Sequence, residues 1–151
     1  MNSNNAEHFA EVLRLAHQNG DFQPVVDNIH YAQFIGLKFQ RLGQDILFHL
    51  PANPDNIGNP ILPAIHGGVI GGFMELSASL QLMMTMDSFT LPKMIDFSLD
   101  YLRAGRLKDT YAECQVWRQG SRVDNVAITA SQSKRESPIA TARAHFLLTQ
   151  D

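Results

Sequence analysis

The stretch from His66 to Leu80, His-Gly-Gly-Val-Ile-Gly-Gly-Phe-Met-Glu-Leu-Ser-Ala-Ser-Leu, constrains this chain more than any other. It opens on glycines, runs on as an apolar segment to Met83 and Met84, and carries one carboxylate, Glu75. Strong helix formers follow the glycines, so the segment is predicted as helix rather than strand. Apolar side chains recur all the way round it, which predicts a helix buried on nearly every side. A lone glutamate there carries a desolvation cost unless it has a partner or a task, and that makes Glu75 the first candidate for chemistry.

The rest of the chain fits around that helix. An N-terminal helix is expected from Asn4 or Asn5 to Asn19, stopped by Gly20, with Phe9, Val12, Leu13 and Ala16 on one face. Asp21 to Tyr31 reads as a connector, because Pro24 bars a continuous helix. Ile35, Leu37 and Phe39, then Ile46, Phe48 and Leu50, alternate around a Leu42-Gly43-Gln44 turn, so Phe34 to Leu50 is expected to be a hairpin. Pro51 to Pro63 holds four prolines, three asparagines and a glycine, and reads as loop. The central helix is expected to end near Asp87 and Ser88. Four strand-like runs follow, centred on Ile95–Tyr101, Ala112–Val116, Val126–Ala130 and Ile139–Thr149. An antiparallel sheet of about six strands curled about one long helix is the architecture this order favours, an α+β fold with an extra N-terminal helix.

Size and charge narrow the function. A chain of 151 residues is long enough for one domain with a real core, divided here into an N-terminal part (1–33) and a core (34–148). The net charge of -3 argues against nucleic acid as the main partner. Nine of the twelve Lys and Arg residues nevertheless lie from Lys93 onward, where a phosphate-bearing ligand would be held. The one cysteine, Cys114, the polar start Met1-Asn2-Ser3-Asn4-Asn5, and the polar Glu75, Ser77, Ser79 and Gln81 inside the apolar run lead to the expectation of a cytoplasmic protein without a membrane span.

The His66-Gly67-Gly68 opening, Glu75 nine residues after the histidine, and the four following strands resemble the hot-dog fold. More narrowly they resemble the acyl-CoA thioesterases of the 4-hydroxybenzoyl-CoA and phenylacetate-pathway type, over roughly Phe34 to Leu148. The resemblance implies a thioester hydrolase whose substrate carries coenzyme A, with no separate cofactor. It also implies a homodimer, often paired into a homotetramer, with sites at the subunit interface.

Glu75 can act as general base or nucleophile. Gly67 and Gly68 open a helix whose free N–H groups and dipole suit an oxyanion, and the resemblance assigns the carbonyl-polarising donor to Gly67. Gly67 and Glu75 are eight residues apart, roughly 12 Å along a helix, so one carbonyl reaches both only if they come from different subunits. Ser79, one turn after Glu75, is a candidate assistant. His66 is a candidate acid or base, although the resemblance more often gives it the orientation of the loop. Related enzymes carry Asn or Gln six residues before the histidine; this chain has Pro60 there, with Asn59 adjacent to take the role. For coenzyme A the candidates are Gly68, then Arg118, Gly120, Ser121 and Arg122 at one strand-end turn, and Lys134 and Arg135 at the next. Cys114 belongs to a core-facing set.

Other chemistries find little support. There is no GxSxG elbow, no HExxH or CxxC for a metal site, and no GxGxxG after a parallel strand. A hot-dog dehydratase would need a histidine paired with a carboxylate at a set spacing, but there is no D-x-x-x-x-H and the position fourteen before Glu75 is Ile61. A non-catalytic acyl-CoA or lipid binder is the alternative that Pro60 keeps open.

Overall fold

A computed structural model describes residues 3–86, 89, 91–119 and 121–148, with only the backbone of Arg118 and Gln119. Helix α1 (Ser3–Asn19) is followed by two short helices, α2 (Gln23–Asp27) and α3 (His30–Ile35), then by strands β1 (Lys38–Leu42) and β2 (Asp45–Leu50). A 3-10 turn (Pro54–Asn56) leads to a small ribbon, β3 (Ile57–Asn59) and β4 (Ala64–Ile65). The long helix α4 (Gly67–Thr85) comes next, and strands β5 (Lys93–Tyr101), β6 (Thr110–Gln119), β7 (Val123–Ser131) and β8 (Ala140–Leu147) complete the chain. Among the described residues, no helix is long and apolar enough to cross a membrane.

Six strands form one antiparallel sheet in the order β1-β2-β6-β7-β8-β5, so β5 lies at an edge. In β7 and β8 alternate residues are buried: Val126, Ile128, Ala130, Ala142, Ala144 and Phe146 face the core. Phe73, Met74, Leu80, Leu82 and Met83 of α4 join the same buried cluster, with Leu13 and Ala16 of α1. The sheet therefore has α4 as the main filling of its apolar face, as the alternation in the sequence predicts.

Most departures in the element pattern lie in the N-terminal third, and the expected Pro51–Pro63 loop holds the 3-10 turn and strand β3. Asp21 to Tyr31 is not an open connector: Pro24 stands in the first turn of α2, where its missing N–H has no intrahelical acceptor to lose. Phe34 and Ile35 belong to α3 rather than to the expected hairpin, and Gly36 ends that helix in the left-handed region at φ 83°. The hairpin begins only at Lys38. Asn4 and Asn5 lie inside α1 instead of capping it, while Gly20, φ 76°, closes it as expected. Helix α4 ends at Thr85; Asp87 and Ser88 lie outside the described residues.

Candidate active site at the start of helix α4

Helix α4 starts where three chain segments are tied together. Asn56, buried in the loop before it, donates its side-chain Nδ2 to Ile35 O (3.1 Å) and accepts the His66 N–H on its carbonyl (2.8 Å). Gly58 passes so close to His66 that a Cβ there would stand 2.7 Å from the His66 Cβ and 2.8 Å from its Cα. A glycine in a bulged strand serves this close approach. The loop thus fixes the residue that caps the helix.

His66 is the N-cap, and its Nδ1 accepts the Gly68 N–H at 2.9 Å. Because Nδ1 accepts, the proton of the neutral ring sits on Nε2. The Gly67 carbonyl accepts the hydroxyl of Tyr101, the last residue of β5, at 2.7 Å. Side chains would collide here: a Cβ on Gly67 would lie 3.0 Å from the Tyr101 hydroxyl, and one on Gly68 2.9 Å from His66 Nδ1. The Gly67 N–H makes no hydrogen bond among the described residues and stands at the positive end of a 19-residue helix. A free N–H in this position can donate to an anion.

Glu75 departs from expectation. It is exposed, not buried, and has no hydrogen-bond or ion-pair partner among the described residues. The helix is not buried all round: Gly68, Gly72, Glu75 and Ser79, spaced four, three and four residues apart, make one uncovered or half-covered stripe. Ser79 is half-buried one turn beyond Glu75, and its hydroxyl is likewise uncommitted. Ser77 is buried elsewhere on the helix and back-bonds to Phe73 O at 2.7 Å. Within one chain, Gly67 and Glu75 stay about 12 Å apart along the axis, as the helical rise demands.

Asn59 ends β3, exposed. Its Oδ1 accepts the N–H groups of Ile61 (3.0 Å) and Leu62 (3.2 Å), so its carboxamide oxygen is engaged in the turn and only the NH2 is left to donate outward.

The proposed coenzyme A residues are not brought together. Ser121 and Arg122, exposed, sit at the start of β7, as does the backbone of Arg118; Gly120 lies outside the described residues. Arg135 lies in the turn after the far end of β7, roughly 30 Å away at about 3.3 Å per residue. It is paired with Glu113 at 2.7 Å. The Gly68 N–H is already held by His66. The Arg135 turn shares its end of the sheet with the start of α4, since Tyr101 pairs with Ala140 at the beginning of β8. The Arg122 turn is at the other end.

A recess of about 380 Å³ opens where β2 and β6 diverge, lined by Ile46, Leu47, Gln81, Glu113, Cys114 and Arg135 among others, and it includes neither Gly67 nor Glu75. Burial, with the nearby Glu113 carboxylate adding to it, pushes the Cys114 thiol well above its ordinary value.

The sequence alone does not single out Tyr101, which the fold sets against the start of α4. The alternation of Phe97, Leu99 and Tyr101 on one face of β5 was the available signal, and Leu99 does press on α4 at Gly71.

The sheet wrapped about α4 is the hot-dog arrangement, and the comparisons agree. The profile of the thioesterase superfamily matches residues 62–139, and this chain belongs to that superfamily. A crystal structure of a Chromobacterium violaceum protein is 40% identical, with 93% of this chain and 98% of that one covered and a TM-score of 0.77. A Ralstonia eutropha protein described as related to phenylacetic acid degradation superposes with a TM-score of 0.72 at 17% identity, covering 91% and 99% of the two chains. A Bacillus halodurans protein solved with CoA gives 0.71 at 15% identity, over 100% and 97%. The last two likenesses establish fold alone. No curated protein sequence matches this chain.

Proposed function

We propose that this protein hydrolyses acyl-CoA thioesters as a homo-oligomer. The observation that carries the reading is the uncommitted Gly67 N–H at the head of α4, on a helix that presents Glu75 on an uncovered face. The thioester carbonyl would lie against the Gly67 N–H, which stabilises the oxyanion as it forms. Glu75 from the neighbouring subunit would attack the carbonyl or draw a proton from water, and the coenzyme A thiol would leave.

Two features support the second subunit. The 12 Å separation keeps both groups of one chain from one carbonyl. Among the described residues strand β5 leaves one edge unpaired, and antiparallel pairing with its copy would bring the Arg122 end of one protomer beside the α4 start of the other. Arg118, Gly120, Ser121 and Arg122 would then hold coenzyme A phosphates for the partner's site, a reading in keeping with the CoA found in the Bacillus halodurans relative. Arg135 would serve from the other side, once released from Glu113.

The test is thiol release from short, medium, long and aromatic acyl-CoAs by wild type and Glu75→Gln. Release that falls by about a hundredfold or more in Glu75→Gln supports the hydrolase. Binding without release in wild type replaces it with a non-catalytic acyl-CoA binder, the reading favoured by the engaged Asn59 oxygen.

A further inference from the structure

We infer that Tyr101 is a positioning residue for the Gly67 N–H, an inference that rests on the hydrolase reading. The Gly67 carbonyl and the Gly68 N–H belong to a single peptide unit. Tyr101 donates to its oxygen at 2.7 Å and His66 Nδ1 accepts its N–H at 2.9 Å, so that unit is held at both ends. A peptide plane fixed in this way fixes ψ of Gly67 and, through the cap at His66, the direction of the preceding N–H. That preceding N–H, on Gly67, makes no hydrogen bond among the described residues.

Glycine is the residue least able to hold this geometry unaided, because its backbone roams widely. Two glycines in succession at the head of a helix would sample many orientations, and a donor that must reorganise during reaction loses much of its effect. Bulk elsewhere cannot substitute, since the 3.0 Å clearance between the Tyr101 hydroxyl and a Cβ on Gly67 leaves no room for a larger residue. The glycines leave space for the clamp, and the clamp removes the freedom they bring.

Tyr101 is well placed to exert this hold from a distance. It is the last residue of β5, paired with Ala140 of β8, and Leu99 two residues earlier rests on α4 at Gly71. The phenol thus carries the rigidity of the sheet into the first turn of the helix. Its ring is partly exposed, so its contribution to the core is small.

The experiment compares wild type with Tyr101→Phe, which keeps the ring and removes the hydroxyl. Two signals are read: steady-state hydrolysis of acyl-CoAs, and the amide resonances and hydrogen exchange of Gly67 and Gly68 in 15N-labelled protein. The expected result is kcat lowered about three- to tenfold with KM nearly unchanged, the scale of one ordinary hydrogen bond. The Gly67 and Gly68 amides should shift and exchange faster while most other amides stay in place. His66→Asn, which keeps a side-chain acceptor at the cap, should retain more activity than His66→Ala. Combining Tyr101→Phe with His66→Ala should cost less than the product of the two single effects, because both act on one peptide. Unmoved Gly67 and Gly68 amides in Tyr101→Phe overturn the inference, and so does a kcat within twofold of wild type. If wild type turns over no acyl-CoA, the hydrolase reading fails; the positioning role for catalysis falls with it, while shifted amides would still establish the clamp.

Discussion

His17 Nε2 lies 2.8 Å from the carbonyl oxygen of Met83, tying α1 to the last turn of α4. A carbonyl only accepts, so the ring donates from Nε2, and one of the orphan acceptors at the helix end is satisfied. The same ring packs edge-on against Phe22 and Phe89, at 5.2 and 5.8 Å. The N-terminal helix is thereby latched to the helix that bears the site. His17→Ala should lower stability by about 1–3 kcal/mol, the cost of an unsatisfied, partly buried carbonyl and lost packing. Thermal unfolding should show it as a fall of about 3–8 °C.

The approach of Gly58 to His66 gives a sharper expectation. An added Cβ meets backbone as well as side-chain atoms at 2.7–2.8 Å, so no rotamer change relieves it. Gly58→Ala should destabilise by about 1–3 kcal/mol and shift His66 off its cap. Both denaturant unfolding and the Gly68 amide exchange rate report this; an unchanged midpoint and an unchanged rate would refute the tight packing.

Cys114 makes the fold sensitive to alkali. Its thiol pKa is raised in the native state, so the folded protein keeps a proton that the unfolded chain loses above about pH 8.5. Stability from this group is therefore full below that pH and declines as pH rises further. Unfolding midpoints between pH 7 and 10 should fall, and Cys114→Ala should flatten the slope whatever its effect at neutrality. Wild type should also resist alkylation at pH 8 until it is denatured.

Asp109 acts in the opposite direction. Its Oδ1 accepts the Ala52 N–H at 2.9 Å and its Oδ2 lies 3.1 Å from His49 Nε2. The backbone hydrogen bond first, and His49 second, hold its carboxyl below the usual value. Its contribution is present above the unfolded pKa, about 3.9, and is lost as pH falls through the lower folded value. Acid unfolding of Asp109→Asn should be correspondingly shallower below pH 4.

Much of the fold was legible because α4 and β5 to β8 have clean periodicity. What misled was local. Ile35 alternates with Leu37 and Phe39 as a strand would, yet Gly36 at positive φ makes Ile35 the end of a helix. Pro24 reads as a helix breaker, but at a first turn it is a starter. The apolar run around Glu75 predicts a burial that the structure does not show, because hydropathy does not distinguish a face covered by the same chain from one left open. The small residues Gly68, Gly72 and Ser79 on its stripe held that information. Arg122 and Arg135 stand at successive turns in the sequence, and only the strand order shows that these turns fall at opposite ends of the sheet. Tyr101 shares the inward alternation of Phe97 and Leu99, but only the fold sets its hydroxyl against Gly67, 34 residues earlier in the chain.

Strand β2 meets β6 only at Phe48–Leu50 against Thr110–Ala112, and beyond that the two diverge. The sheet is thus a four-stranded slab joined to a two-stranded flap by a narrow seam. The superfamily match, residues 62–139, lies wholly on the slab side of that seam in sequence. A slipped register in the β1–β2 flap would strain that seam first, and what remained would reach the start of α4 through Ile35, Asn56 and His66, whose hydrogen bonds begin just before β1.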